Sequence, residues 1–154
     1  MSEPQVVEIS GFTVLGLATR TTNEAEMSGA GGRIGPLWQA FMEAGDRRIP
    51  GVMDAFSIFA VYTGYETDET GSYDLIVGRN VQPGQDAPEG MRAVAVPSAR
   101  YMVFEADGNN PEAIKAAWIR VYTYFSKSTE VRRAFTVDFE KYSGPDVNLY
   151  IAVG

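Results

Sequence analysis

From Val6 to Thr19 the chain runs Val-Val-Glu-Ile-Ser-Gly-Phe-Thr-Val-Leu-Gly-Leu-Ala-Thr, β-branched and alternating, which predicts a first strand with Gly11 and Gly16 as bulge positions. Thr21 to Gly32 is polar and glycine-rich. Gly35-Pro36 then places proline where a helix begins, and Leu37, Trp38, Phe41 and Met42 follow at helical spacing up to Gly45. The apolar runs Ala55 to Tyr65 and Tyr73 to Val81 predict a hairpin, joined across Glu66 to Ser72. The polar stretch Gln82 to Gly90, rich in proline and glycine, reads as a linker between halves, and a strand is expected over Arg100 to Ala106. Asn110-Pro111-Glu112 is a helix start, with asparagine as cap, proline in the first position and an acid near the positive end of the dipole. Ile114, Trp118, Val121, Tyr122 and Phe125 give that helix an apolar stripe.

The last twenty residues carry the most chemistry. Ala134 to Tyr142 and Val147 to Val153 read as a hairpin around Ser143-Gly-Pro-Asp146. Successive strand residues point to opposite faces, so Asp138, Glu140 and Tyr142 are expected on one side and Phe135, Val137 and Phe139 on the other. A carboxylate among aromatic rings is costly unless a cation or hydrogen-bond donor meets it, and a ligand could be that partner. A three- or five-residue loop would place Tyr150 on the face of Glu140, and a four-residue loop would not; the sequence leaves that register open.

The two halves, about 6–81 and 100–153, share the order strand, helix, strand, strand. A single α+β domain over residues 1–154 is expected, with duplicated modules forming a mostly antiparallel sheet and two helices around a central ligand groove. Such a junction of repeats suits a small-molecule site. Composition narrows the chemistry. The 154 residues include 20 acids and 13 bases, a net charge of −7, which opposes direct nucleic-acid binding. The absence of cysteine and histidine removes Ser-His-Asp and Cys-His catalysis and the usual zinc ligands, so no metal or cofactor is expected. No stretch reaches the roughly 20 apolar residues of a membrane span, and the N-terminus is unlike a signal peptide; a cytoplasmic protein is expected. Gly29 to Gly35 lacks the lysine of a phosphate-binding loop and reads as a flexible entry or lid, while Glu66 to Glu69 read as a solvated turn without calcium-loop spacing.

The tracts Tyr73 to Gly78, Tyr101 to Gly108, Ala117-Trp118 with Tyr122, Val137 to Tyr142 and Leu149 to Val153 together resemble the gyrase-inhibitor-like (GyrI-like) domain. This family includes effector-binding domains of AraC-type and MerR-type activators and freestanding versions carried on integron cassettes. The resemblance covers essentially the whole chain. It implies a groove for small, lipophilic, often cationic molecules, with a glutamate that pairs with the ligand charge. Glu140 stands at that position; Tyr142 and Tyr150 match aromatic wall positions, and Trp118 or Tyr122 match the second-helix contribution. The resemblance favours the register that sets Tyr150 opposite Glu140. Asn148 departs from members with a second acid there. Of the strand tyrosines Tyr62, Tyr65, Tyr73 and Tyr101, the pair Tyr65 and Tyr73 borders a hairpin mouth and is favoured as pocket wall, as is Trp38 on the first helix.

Three functions remain open at this level: a receptor or sequestering domain for amphipathic cations, a hydrolase of strained electrophiles in which Glu140 activates water, or an acidic inhibitor of a large partner such as gyrase acting through Glu66, Asp68 and Glu69. No helix-turn-helix pattern is read outside Val6 to Val153, so a role in transcription would need a partner or a lost fusion.

Overall fold

The computed structural model describes residues 4–27, 32–68, 70–127 and 130–154. The elements are β1 (Gln5–Ile9), β2 (Phe12–Thr22), α1 (Asn23–Met27), α2 (Ile34–Ala40), β3 (Ser57–Thr63), β4 (Ser72–Val81), β5 (Met91–Val96), β6 (Ala99–Glu105), α3 (Pro111–Lys127), β7 (Asp138–Ser143) and β8 (Asp146–Ala152). All eight strands join one antiparallel sheet in the order β1-β6-β8-β7-β3-β4-β2-β5. The α+β class expected from the sequence is therefore the one observed. Exchanging β1 to β4 with β5 to β8 turns this order into its own reverse, with the centre between β3 and β7.

The single strand expected over Val6 to Thr19 is two strands that lie six places apart in the sheet, β1 beside β6 and β2 between β4 and β5. A flat sheet would hold them about 29 Å apart, yet only Ser10 and Gly11 connect them, a reach of at most about 11 Å. The sheet must curl until its two ends meet. The same demand is made by Pro97-Ser98 between β5 and β6, and the two crossings touch, the Gly11 amide donating to Ser98 Oγ at 2.8 Å. Across the enclosed face, Phe12 of β2 meets Phe59 and Phe139 with ring centroids 5.2 and 5.3 Å away. Val14, Val61, Ile76, Val96, Tyr101, Val137 and Ala152 complete this inner core, to which no helix contributes among the described residues.

Helices cover the other face. Under α2, Phe41 is fully buried among Leu15, Ala60, Leu75 and Val77. Met42, expected in the same stripe, is exposed. The helix continues as one wide π turn over Phe41–Gly45 and a 3-10 turn over Asp46–Arg48. That end is tied down by Arg79, whose Nε and Nη2 both bond the Asp46 carboxylate at 2.8 Å, holding the acid below its usual range. Under α3, Ala117 and Val121 pack on Met102, Phe104, Leu149 and Ile151. The cap expected for this helix forms, with the Ala113 amide donating to Asn110 Oδ1 at 2.9 Å.

Two expectations need correction. Gln82 to Gly90 is a turn region, but it leads into β5, an edge strand paired with β2 that the polar start of the segment concealed. Gly16 is no bulge, since its register is continuous with both neighbours. It pairs with Gly78 where the curled strands press together, and a Cβ there would lie 1.9 Å from the Val77 carbonyl oxygen and 2.5 Å from Gly78 Cα. Backbone rather than a movable side chain blocks that space. Gly16→Ala is expected to lower unfolding free energy by about 2 kcal/mol or more, read from urea denaturation; a change within about 0.5 kcal/mol would show that the curl does not depend on this contact.

Candidate functional site

β3 and β7 form the central strand pair, with Ala60 opposite Glu140 and Tyr62 opposite Asp138. The alternation read for β7 holds from Asp138 onward: Glu140 and Tyr142 point to the helical face, and Phe139 points into the inner core. Glu140 is only 3% exposed. Its Oε2 accepts from Tyr62 Oη at 2.9 Å and Trp118 Nε1 at 2.6 Å, and its Oε1 accepts from Tyr142 Oη at 2.5 Å. The donors come from β3, α3 and β7. Burial pushes the Glu140 carboxyl above the ordinary carboxylate range, against the pull of these three hydrogen bonds. Burial likewise raises the Tyr62 and Tyr142 hydroxyls, with the neighbouring carboxylate adding to it, so both stay protonated as donors.

Around the carboxylate the rings stand in two groups joined through its hydrogen bonds. Trp38 meets Tyr142 edge-on at 4.9 Å, Tyr62 meets Trp118 at 5.2 Å, and Trp118 meets Tyr122 at 6.0 Å. Tyr62 is buried, Trp38, Trp118 and Tyr142 are half-buried, and Tyr122 is exposed. Trp118 and Tyr142 each pack against both helix-side clusters, so the wall stands at the seam between the halves. Asn23 at the start of α1 reaches across to it, donating to Tyr122 Oη at 3.3 Å.

A second buried acid stands two residues away. Asp138 is fully buried and accepts from Tyr65 Oη at 2.5 Å, Arg133 Nη2 at 2.7 Å and the Ala152 amide at 2.8 Å. Arg133 lies over the Phe135 ring at 4.3 Å, and its Nε is buried without a partner. Phe135 does not belong to the strand as expected. It precedes β7 at φ 52°, and its ring packs on Tyr65 rather than beside Phe139. Tyr65 and Tyr73 do face each other, at 6.1 Å, but the Tyr65 hydroxyl is committed to Asp138.

The register of the last hairpin overturns one expectation. Gly144, at φ 62°, and Pro145 form a two-residue loop, so Glu140 stands opposite Leu149 and Phe139 opposite Tyr150. Tyr150 therefore lies on the inner face, stacked on Phe139 at 4.5 Å and 11° between planes. Asn148 pairs with Lys141 and also faces away from Glu140, so it does not stand at a second-acid position of this site. The sequence left Tyr62 and Arg133 out of the site. Tyr62 could not be chosen without knowing that β3 pairs with β7, whereas a cation five residues before Asp138 was a readable signal. Glu26 bonds the Thr21 hydroxyl and the Arg33 and Ile34 amides, closing the polar connection between α1 and α2. The lid expected over Gly29 to Gly35 lies partly outside the described residues, as does Glu69 of the acidic turn. Asp68 serves that turn, accepting from the Thr70 amide and hydroxyl. Among the described residues no cluster of acids is placed to hold a metal ion, and no helix is long and apolar enough to cross a membrane.

A curled antiparallel sheet with helices on one face is the fold of an effector-binding family related to transcription regulators. The chain belongs to the family of integron-associated effector-binding proteins, whose model matches residues 5–153. It is 35% identical to an integron cassette protein from the mobile metagenome of Vibrio cholerae, with a TM-score of 0.84 over 98% of this chain and 95% of that one. A protein named SAV2435, solved with tetraphenylphosphonium, shares the fold at 19% identity and a TM-score of 0.75, over 99% and 94% of the two chains. The chain is also 28% identical to the transcriptional regulator BrlR of Pseudomonas aeruginosa, matching 97% of this chain and spanning about half of that protein, 54% of its length.

Glu140→Gln keeps the shape of the buried group, since Oε1 can accept from Tyr62 and Trp118 while Nε2 donates to Tyr142. A carboxyl whose folded pKa lies above its unfolded value gives a stability contribution that is lost as pH rises through the folded pKa. Thermal unfolding is expected to show Glu140→Gln at least as stable as the parent at pH 7, with its advantage shrinking toward pH 4. The opposite trend would mean that the hydrogen bonds outweigh burial. Removing Arg133 strands the Asp138 charge in the interior, and Arg133→Met is expected to cost about 3–5 kcal/mol of stability in denaturant unfolding.

Proposed function

We propose that the chain binds small amphipathic cations on the helical face, with Trp38, Trp118, Tyr142 and Tyr122 as the aromatic wall and Glu140 as the charge partner. The observation that carries this reading is the nearly enclosed Glu140 carboxylate, held at 2.5 to 2.9 Å by Tyr62, Trp118 and Tyr142, of which Trp118 and Tyr142 are only half-buried. A hydroxyl or indole N–H that donates to a carboxylate leaves its ring richer in electrons. Glu140 thus strengthens the attraction of the exposed ring faces for a cation before any direct contact is made. At an effective dielectric constant of 20 the carboxylate itself attracts a unit charge 4 Å away by about 4 kcal/mol, and each ring adds about 0.5 to 2 kcal/mol. Micromolar binding needs about 8 kcal/mol, so one acid and two or three rings reach that scale only when association costs are offset by apolar burial. A lipophilic cation meets that condition. The tetraphenylphosphonium bound by SAV2435, a protein of the same fold, has this chemistry.

Binding is favoured over water activation by Glu140, because donors already occupy both oxygens of the carboxylate. Partner inhibition through the acidic turn has less support, because Asp68 is engaged within its own turn. A transcriptional role is the link suggested by the likeness to BrlR, and it would act through whatever the ligand-bound domain contacts.

Tryptophan fluorescence titration with tetraphenylphosphonium and with neutral triphenylphosphine oxide tests the proposal. The cation is expected to bind the parent, and Glu140→Gln to weaken it at least tenfold while leaving the neutral compound unchanged. Affinity for the cation should also fall as the pH drops through the Glu140 titration, and stay flat in the variant. Equal weakening of both compounds, or no binding of either, would refute the assignment. Consumption of a bound electrophile, lost in Glu140→Gln, would instead point to hydrolysis.

A further inference from the structure

The inner face of the curled sheet carries a cavity that the Glu140 wall does not explain. It measures about 250 Å³ and is lined by Ile9, Ser10, Phe12, Phe59, Asn80, Phe139, Lys141 and Tyr150. It sits beside the β1–β2 crossing, where curling brings residues of both sheet ends against β3 and β7. Phe139 and Tyr150 stack as one wall, and Phe12 stands edge-on to Phe139.

Two polar features distinguish this cavity from a packing defect. Asn80 Oδ1 is buried with no hydrogen-bond partner, a state that native proteins rarely leave unanswered. Lys141, whose Nζ lies 5.9 Å from the centroid of the Phe59 ring, forms no ion pair among the described residues. An aromatic slot with an ammonium group and a hydrogen-bond acceptor in its lining matches a planar ring that bears an anion and a donor. Glu140 and Lys141 are neighbours on β7 and point to opposite faces, so the strand gives the helical face a negative charge and the inner face a positive one.

We infer that the inner cavity is a second small-molecule site, taking small aromatic acids: the ring packs against the cluster of Phe12, Phe59, Phe139 and Tyr150, the anion meets Lys141, and a hydroxyl or amine substituent donates to Asn80. The volume lies just below the roughly 300 Å³ at which pockets for drug-sized ligands begin, which limits the occupant to about one ring with short substituents. This site does not rest on the cation reading of the helical face and stands or falls separately.

The probe is 4-hydroxybenzoate, with 4-hydroxybenzamide as its neutral counterpart, titrated by isothermal calorimetry and by chemical-shift mapping of the labelled protein. Saturable binding of 4-hydroxybenzoate is expected, with shifts at Phe12, Phe59, Phe139 and Tyr150. Lys141→Met, a half-exposed position whose folding is checked by circular dichroism, should weaken the acid at least tenfold and leave the amide unchanged. Asn80→Leu should weaken both, and Glu140→Gln should change neither. No saturable binding at millimolar concentration, affinity unaffected by Lys141→Met, or shifts confined to Trp118 and Tyr142 would each overturn the proposal; the last would place the acid at the helical face instead.

Discussion

The burial of one carboxylate on the central strand pair governs the rest of this molecule. Taking a charge such as Glu140 out of water costs several kcal/mol, and the cost is tolerated only where hydrogen-bond donors replace the lost solvent. Three aromatic donors do so, one each from β3, α3 and β7, and each is thereby held in a single orientation. Tyr62 brings the first half of the chain to the site, while Trp118 and Tyr142 bring the second and also bridge the two helix-side clusters. The acid thus acts as a joint between halves on the helical face, in addition to the β1–β6, β2–β5 and β3–β7 ladders that join them through the sheet. The same arrangement makes the wall chemically asymmetric, with the polar tips of Tyr62, Trp118 and Tyr142 turned to the acid.

The parts of this architecture legible in the sequence were those set by local physics. Asn110 and Pro111 fix the start of α3 by capping and by a preset φ, and the alternation through Asp138, Glu140 and Tyr142 separates the faces of β7 because neighbouring strand residues must diverge. Non-local geometry escaped. Nothing in the alternation across Ser10 and Gly11 reveals that Ile9 and Phe12 belong to opposite ends of the sheet, since the break requires the whole sheet to curl. Tyr62 was invisible as a site residue for a related reason, because its role depends on which strand lies beside β3. The family resemblance supplied Glu140, but it could not supply the loop geometry of this particular hairpin.

That loop has consequences well beyond its two residues. With Gly144 taking the left-handed conformation ahead of Pro145, the hairpin closes tightly and pairs residues whose numbers sum to an odd value, Phe139 with Tyr150 and Lys141 with Asn148. A loop one residue longer would turn one strand over and place Tyr150 beside Glu140. The observed register instead sends the Tyr150 ring to the inner face, where it stacks on Phe139 beside Phe12 and Phe59, on the side that alternation along β7 already gives to Lys141. The division of the domain into an acidic aromatic wall on one face and a basic aromatic cavity on the other follows from the period of β7, with the two-residue turn assigning Tyr150 to the cavity side. Both faces are thus built on the same short segment of β7, with Glu140 and Lys141 as neighbours that strand geometry must send apart.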